Sequence, residues 1–202
     1  MARHIGPKQK LQRQIGEDLG LKTNALKTAR RLSVRPGQHG AKSHRKLSNY
    51  GLQLKEKQKL KYIYGILEKQ LRRTFALASK NPAATGTALL SLLERRLDNV
   101  VYRAGLSLTR AAARQLINHG HFLVNGKKVD VPSYEVKVDD VISMKKSHTA
   151  KIPQVAAALE EEREIPTWLT VKNKAIKVTK LPAREDITEK IDEQLVVEYY
   201  NR

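Results

Sequence analysis

Between residues 53 and 80 the apolar side chains Leu60, Ile63, Tyr64, Leu67, Leu71 and Phe75 recur at intervals of three and four, which places them on one stripe of an α-helix. Asn81-Pro82 ends the run, because the residue before a proline is pushed out of the helical region. A second run, Leu89, Leu90, Leu93, Leu97, Val100 and Val101, stops at Gly105, a residue suited to the left-handed position that closes a helix. Ser107 or Thr109 then caps a short helix reaching Gly120. In that helix Ala113, Leu116 and Ile117 face inward, while Arg110 and Arg114, one turn apart, share the opposite side and are expected at the surface.

Beyond Gly120 the period shortens to two. Residues 121–124, 127–131, 134–138 and 141–144 read as strands, with Asn125-Gly126 as the favoured two-residue hairpin turn and Asp139-Asp140 as another turn. A helical run over 155–164 is closed by Pro166. A further hairpin joins 168–171 to 175–179 through Asn173-Lys174, and Asp186 or Thr188 caps a terminal helix to about residue 195. Leu97, Val100, Leu116, Ile117 and Val124 are the expected core of the helix-and-sheet region. No internal repeat is present. Helices and a small antiparallel sheet, segregated along the chain, predict an α+β fold.

A length of 202 residues with 40% hydrophobic content allows one large or two small domains. Charge changes the picture more. Lys and Arg number 39 against 20 Asp and Glu, a net +19, and so large an excess makes nucleic acid the default partner. Residues 1–46 carry 12 basic and 2 acidic side chains, 47–86 carry 8 and 2, 87–155 carry 11 and 6, and 156–202 carry 8 and 10. The polyanion is therefore expected along the first three quarters of the chain, with the acidic tail left for protein contacts.

Residues 1–46 hold Gly6-Pro7, Gly16, Gly20, the turn cluster Pro36-Gly37-Gln38-His39-Gly40 and few large apolar side chains. This predicts an arm without a core of its own, ordered by its partner through phosphate contacts. Its candidate contacts are Arg3, Lys8, Lys10, Arg13, Lys22, Arg30, Arg31, Arg35, His39, Lys42, Arg45 and Lys46, with Lys27 between them. Lys55, Lys57, Lys59, Lys61, Arg72 and Arg73 lie mostly off the first apolar stripe. They form either a hydrated helix face or a second phosphate-facing surface, and the adjoining basic arm favours the second.

There is no cysteine, which removes disulfides, thiolate zinc sites and thiol nucleophiles and fits a reducing compartment. No run of 18 apolar residues and no apolar signal core occurs, so neither a membrane span nor a secretory peptide is expected. An organelle-targeting peptide is the weaker reading of the basic start, since Gly6-Pro7 interrupts any amphipathic helix and Glu17-Asp18 adds acid.

Enzyme signatures are near misses at best. His4-Ile5-Gly6-Pro7 and Met144-Lys145-Lys146-Ser147 approach the two ATP-gripping motifs of aminoacyl-tRNA synthetases. The first, however, ends in proline with no nucleotide-binding strand before it, and no domain-sized α/β unit lies between the two. Gly-rich phosphate loops and nucleophile elbows are absent. His119 and His121 lack a carboxylate or thiol at ligand spacing, so they read as polar residues at a helix end or on an RNA face, not as metal ligands. Residues 160–162 read as a solvated helix face. No catalytic residue, metal or cofactor is predicted.

The run Arg95-Arg96-Leu97-Asp98-Asn99-Val100-Val101-Tyr102-Arg103, with Gly105, Thr109-Arg110, Ala113-Arg114-Gln115-Leu116-Ile117, His119-Gly120, Val124-Asn125-Gly126 and Pro132-Ser133-Tyr134, resembles the RNA-binding module named after the S-four ribosomal proteins. That module also occurs in pseudouridine synthases and tyrosyl-tRNA synthetases, so alone it leaves function open. The flanks narrow it. Met1-Ala2-Arg3 with Gly6-Pro7-Lys8, the Pro36–Gly40 cluster, Tyr50-Gly51, Leu54, Glu56-Lys57-Gln58-Lys59, Ile63-Tyr64-Gly65, Pro166-Thr167-Trp168-Leu169 and Leu195-Val196-Val197-Glu198-Tyr199-Tyr200 resemble the bacterial-type S-four family over essentially the whole chain.

That resemblance implies a helical domain interrupted by a small α/β module, with an extended basic N-terminal arm. The expected parts are an arm at 1–46, a helical domain at 47–91 completed by 188–202, and an α/β domain at 92–187 whose RNA-binding module spans about 92–155. It implies an early, direct binder of the 5′ domain of 16S rRNA in cytoplasmic ribosomes, contact with ribosomal protein S-five, a role in decoding accuracy, and proximity to mRNA entering the small subunit. Many relatives carry a four-cysteine zinc knuckle that this chain cannot form, so its arm is expected to be ordered by RNA alone. Within the module the expected phosphate contacts are Arg95, Arg96, Arg103, Arg110, Arg114, Lys127 and Lys128, with Thr109, Gln115, Asn118 and His119 as hydrogen-bonding neighbours. The rivals are an RNA-modifying enzyme carrying the same module and a helix-turn-helix DNA regulator built on the helices around Gly105.

Overall fold

A computed structural model describes residues 4–41, 46–81, 84–161 and 163–202, with no side-chain detail at 25, 27, 147 and 148. The candidates Arg3, Lys42 and Arg45, and Pro82, lie outside the described residues, and the side chain of Lys27 is likewise outside them. The chain divides into two compact units: the residues up to Gly86 together with Glu189–Arg202, and Thr87–Thr188.

In the first unit the helices are α1 (Lys8–Ile15), α2 (Ala25–Ala29), α3 (Asn49–Ile63) and α4 (Glu68–Ala78), joined by the final helix of the chain, α9 (Glu193–Tyr200). The single helix expected over 53–80 is two. Gly65 adopts φ +60, a left-handed conformation open to glycine at little cost, and the chain turns there. Leu60, Ile63 and Tyr64 on one side of the turn and Leu71 and Phe75 on the other are all buried, so the apolar period runs unbroken across a bend it does not reveal. Ser48 caps α3 by accepting from the Gly51 N–H, and α9 packs along α3. The cap of α9 is Asp192, which accepts from the N–H groups of Gln194 and Leu195 at 3.1 and 3.3 Å. Asp186 and Thr188, the expected caps, precede it; Asp186 closes a 3-10 turn.

The N-terminal segment is less bare than its composition implied. Leu11, Ile15 and Leu19, four apart, are buried with Gln12, and α1 lies against α3. Three apolar residues suffice for docking when another helix supplies the opposing surface, so residues 8–19 are ordered by the protein itself and not by RNA alone.

The second unit contains α5 (Thr85–Glu94, which starts at the boundary), α6 (Leu97–Arg103), α7 (Arg110–Asn118), α8 (Pro153–Glu160) and strands β1 (Phe122–Val124), β2 (Lys127–Lys128), β3 (Val141–Met144), β4 (Leu169–Lys172) and β5 (Ala175–Val178). The strands form one antiparallel sheet in the order β2-β1-β3-β5-β4. Phe122, Val124, Ile142, Ile176 and Val178 line its inner face and pack with Leu97, Val100, Val101, Ala113, Leu116, Ile117, Val155 and Trp168. Asn125 and Gly126 both have positive φ, +50 and +78, as the primed hairpin turn requires. The Asn125 side chain fastens the turn: it donates to Asp140 at 2.8 Å and accepts from the Val141 N–H at 2.9 Å.

Two expected elements in this unit are different. The apolar run over 89–101 breaks at Arg96, whose extended backbone (ψ 136) separates α5 from α6. Residues 134–138 form no strand of the sheet. Their backbone bonds instead to the α5–α6 junction, with the Leu97 N–H on the Tyr134 carbonyl, the Val136 N–H on the Arg95 carbonyl, and one bridge between Arg96 and Glu135.

Candidate nucleic-acid interface

The break before α6 and the Thr109 cap of α7, where the Thr109 hydroxyl accepts from the Ala112 N–H at 3.2 Å, set two basic helices side by side. Between them sit two carboxylates removed from solvent, Glu94 (0% exposed) and Asp98 (2%). Arg96 donates from Nε and Nη2 to the two Asp98 oxygens at 3.2 and 3.1 Å. Arg114 donates from Nε and Nη2 to the same carboxylate at 3.0 and 2.5 Å. Arg103 grips Glu94 in the same two-pronged way, at 3.0 and 2.8 Å. Asn99 donates to Glu94 at 2.7 Å and accepts from Arg110 Nε at 2.7 Å, while the Arg110 guanidinium stacks 4.4 Å over the Tyr102 ring. Such paired, charge-assisted bonds are the strong class of hydrogen bond.

This corrects the expectation for Arg110 and Arg114. They are not presented to solvent but 8% and 7% exposed. On an isolated helix they fall opposite Ala113, Leu116 and Ile117, yet α6 covers that side and offers Asp98 and Asn99 to them. Arg95 is tied as well, to Glu135 at 2.8 Å and to the Val136 carbonyl at 3.1 Å. Of the candidate residues in this module, those facing solvent are Gln115, Asn118 and His119 along α7 and its end, and Lys127 and Lys128 on β2. Lys128 crosses directly over Gly120, where a Cβ would collide with its Cε, so β2 and the end of α7 are brought together. The His119 and His121 rings lie 6.1 Å apart, and among the described residues no group of three potential ligands surrounds a metal position.

In the first unit, too, structure reassigns cations. Lys57 and Lys59 are buried: Lys57 pairs with Glu68 at 3.0 Å and lies 4.5 Å over the Tyr199 ring, and Lys59 pairs with Glu17 at 2.6 Å. Both ammonium groups are thus spent on pairs within the first unit and withdrawn from its surface. Burial raises the Glu68 carboxyl, but the bonds it accepts from Lys57 and the Tyr200 hydroxyl outweigh this and leave it below its ordinary value. Burial and that same carboxylate push the Tyr200 hydroxyl strongly up. Arg13 donates to the carbonyls of Val34 and Arg35 at 2.8 and 3.1 Å, holding the later part of the segment on α1. Lys10, Lys22, Arg30, Arg31, His39, Lys46, Arg72 and Arg73 are exposed; Lys8, Arg35 and Lys55 are half-buried.

Residues 3–94 match the model of the ribosomal protein S4/S9 N-terminal domain, and residues 95–142 match the S4 domain. Over 100% of both chains, the sequence is 48% identical to small ribosomal subunit protein uS4 of Chloroflexus aurantiacus and 47% identical to those of Opitutus terrae and Brevibacillus brevis. The chain belongs to the uS4 family. Its S4-domain match begins at Arg95, where α5 ends, and contains the whole Glu94-flanked arginine cluster through the hairpin bearing Lys127 and Lys128.

Among the exposed cations of this uS4-family chain that were absent from the sequence-derived candidates, two lie beside the sheet of the module. Lys145 and Lys146 follow β3 directly and are exposed. Strand alternation carried the signal for the first: with Ile142 buried, Val141, Ser143 and Lys145 share the other face. No helix among the described residues is long and apolar enough to cross a membrane.

Proposed function

We propose that this chain is a structural constituent of the small ribosomal subunit that binds 16S rRNA directly, through its 5′ domain, and nucleates assembly of the 30S body in the cytoplasm. The observation that carries this reading is full-length similarity to proteins named small ribosomal subunit protein uS4, joined to a +19 charge concentrated before residue 156. Its work is adhesion and scaffolding, without turnover or cofactor.

The exposed cations of residues 1–46 run along RNA backbone, while α6, α7 and the β1–β2 hairpin dock as a preformed block. The guanidiniums of Arg96 and Arg114 are held by Asp98, that of Arg103 by Glu94, that of Arg95 by Glu135, and that of Arg110 by the Asn99 side chain and the Tyr102 ring. Their contribution to binding is a fixed positive field and the few N–H groups left at its rim, whereas Lys127 and Lys128 meet phosphates themselves. The same reading places ribosomal protein S-five against the chain, with an effect on translational accuracy, and mRNA close by where it enters the subunit. Competition of a labelled 5′-domain transcript against unlabelled duplex DNA tests the reading. Duplex DNA at equal phosphate concentration is expected to displace little of the transcript; preferential capture of the DNA would make the chain a DNA regulator instead.

A further inference from the structure

The sheet of the second unit has one face packed against α6 and α7, and its other face is open. Strand register assigns each residue to a side. Lys128 on β2 is opposite Leu123 on β1, which is opposite Ser143 on β3; Val141 is opposite Lys177 on β5, which is opposite Thr170 on β4; and Ala175 is opposite Lys172. Lys145 continues β3 by one pair, its N–H bonded to the His121 carbonyl at 2.9 Å. The neighbours that alternate with these, Phe122, Val124, Ile142, Ile176, Val178 and Leu169, are all buried in the core. The open face thus carries Lys128, Lys145, Lys172 and Lys177, all exposed, around a floor of Leu123, Ser143, Val141, Ala175 and Thr170.

Charge on this face is one-sided. Lys177 pairs with Asp139 at 3.1 Å, and Asp130 flanks the edge beyond β2. Among the described residues Lys128, Lys145 and Lys172 have no carboxylate within ion-pair distance. Five strands at a spacing of ~4.8 Å span roughly 19 Å, so the lysines are dispersed over the surface instead of converging on a point.

We propose that this open face is a second docking surface for the sugar-phosphate backbone of double-helical RNA. The proposal rests on the rRNA-binding reading and deepens it: from Lys128 on β2, already assigned to RNA, it extends the surface across the sheet to Lys145, Lys172 and Lys177. Composition selects the occupant. Protein-docking patches are enriched in aromatic residues, Met and Arg and depleted in Lys, and this face has lysines with small and hydroxyl-bearing residues between them and no aromatic ring other than the His121 imidazole. A row of phosphates needs separated point charges, and the 2′-hydroxyls between them need hydrogen-bonding partners, which Ser143 and Thr170 supply.

Lysine acetylation of the full chain, read by mass spectrometry free and bound to the 5′-domain transcript, tests this. Lys128, Lys145 and Lys172 are expected to become protected in the complex. The variant with Lys128→Gln, Lys145→Gln and Lys172→Gln, all at exposed positions, is expected to keep its melting temperature and to lower the slope of log affinity against log salt by about two to three. Protection of arm lysines with Lys145 and Lys172 as reactive as in free protein would overturn the open-face proposal and leave rRNA binding standing. Protection that appears only when other small-subunit proteins are added would also overturn it, in favour of an acidic protein partner. If the unmodified chain does not bind the transcript at all, the underlying reading falls first.

Discussion

Asp98 receives two guanidiniums, one from Arg96 just before α6 and one from Arg114 on α7, while almost wholly withdrawn from water. Desolvating three charges is expensive, and the hydrogen bonds that use both carboxylate oxygens are what offset it. Removing one member leaves the others buried and unmatched. Asp98→Ala is therefore expected to destabilise the fold by about 3–5 kcal/mol, read as a drop in the denaturant midpoint; a change under about 0.5 kcal/mol, as at ordinary surface sites, would mean that the cluster is held by packing alone. The same reasoning reverses what helix periodicity implied for Arg114, whose truncation now carries a folding penalty in addition to any loss of RNA affinity. Thr109, Gly105 and the backbone of the Asn125-Gly126 turn were readable from sequence because each depends on conformation within three residues of itself, whereas the bonds of the Asn125 side chain to Asp140 and Val141 were not. Asp98 and Arg114 were not, because each is given its role by a partner 16 residues away.

Among the secondary-structure elements the same rule separates what sequence showed from what it hid. Alternation over 141–144 matched β3, and the inward positions of α6 and α7 are buried as the three- and four-residue spacing required. Gly65 was invisible because the apolar stripe resumes after it in phase. Residues 134–138 alternate as a strand does, yet spend their backbone bonds on the α5–α6 junction, a competition that only tertiary structure decides. The N-terminal segment shows the reverse error: composition hid a docked helix. Ile15 is its most buried apolar residue, and Ile15→Ala is expected to cost about 2–5 kcal/mol in the stability of that docking. Hydrogen exchange checks it: amides of residues 8–19 should exchange faster while those of α7 are unchanged. Equal protection in both proteins would show that α1 is not held by its apolar face.

Taken together, the chain divides its cations into two populations. Some, such as Lys57, Lys59, Arg96 and Arg114, are matched internally and build rigid blocks. Others, such as Lys10, Arg30, Arg31, Arg72, Arg73, Lys127, Lys128 and Lys145, remain exposed and are available to displace counterions from a folded polyanion. A basic block tied together by internal ion pairs suits an RNA whose own folding it helps to fix, because that surface is in place before the RNA arrives. Affinity must then be strongly ionic. Equilibrium binding of the purified chain to the folded 5′-domain transcript, measured from 50 to 200 mM salt, is expected to weaken by roughly 10³ to 10⁵ if about 6–10 phosphates are neutralised. Affinity that holds constant across that range, or no binding at the lowest salt, would contradict the account.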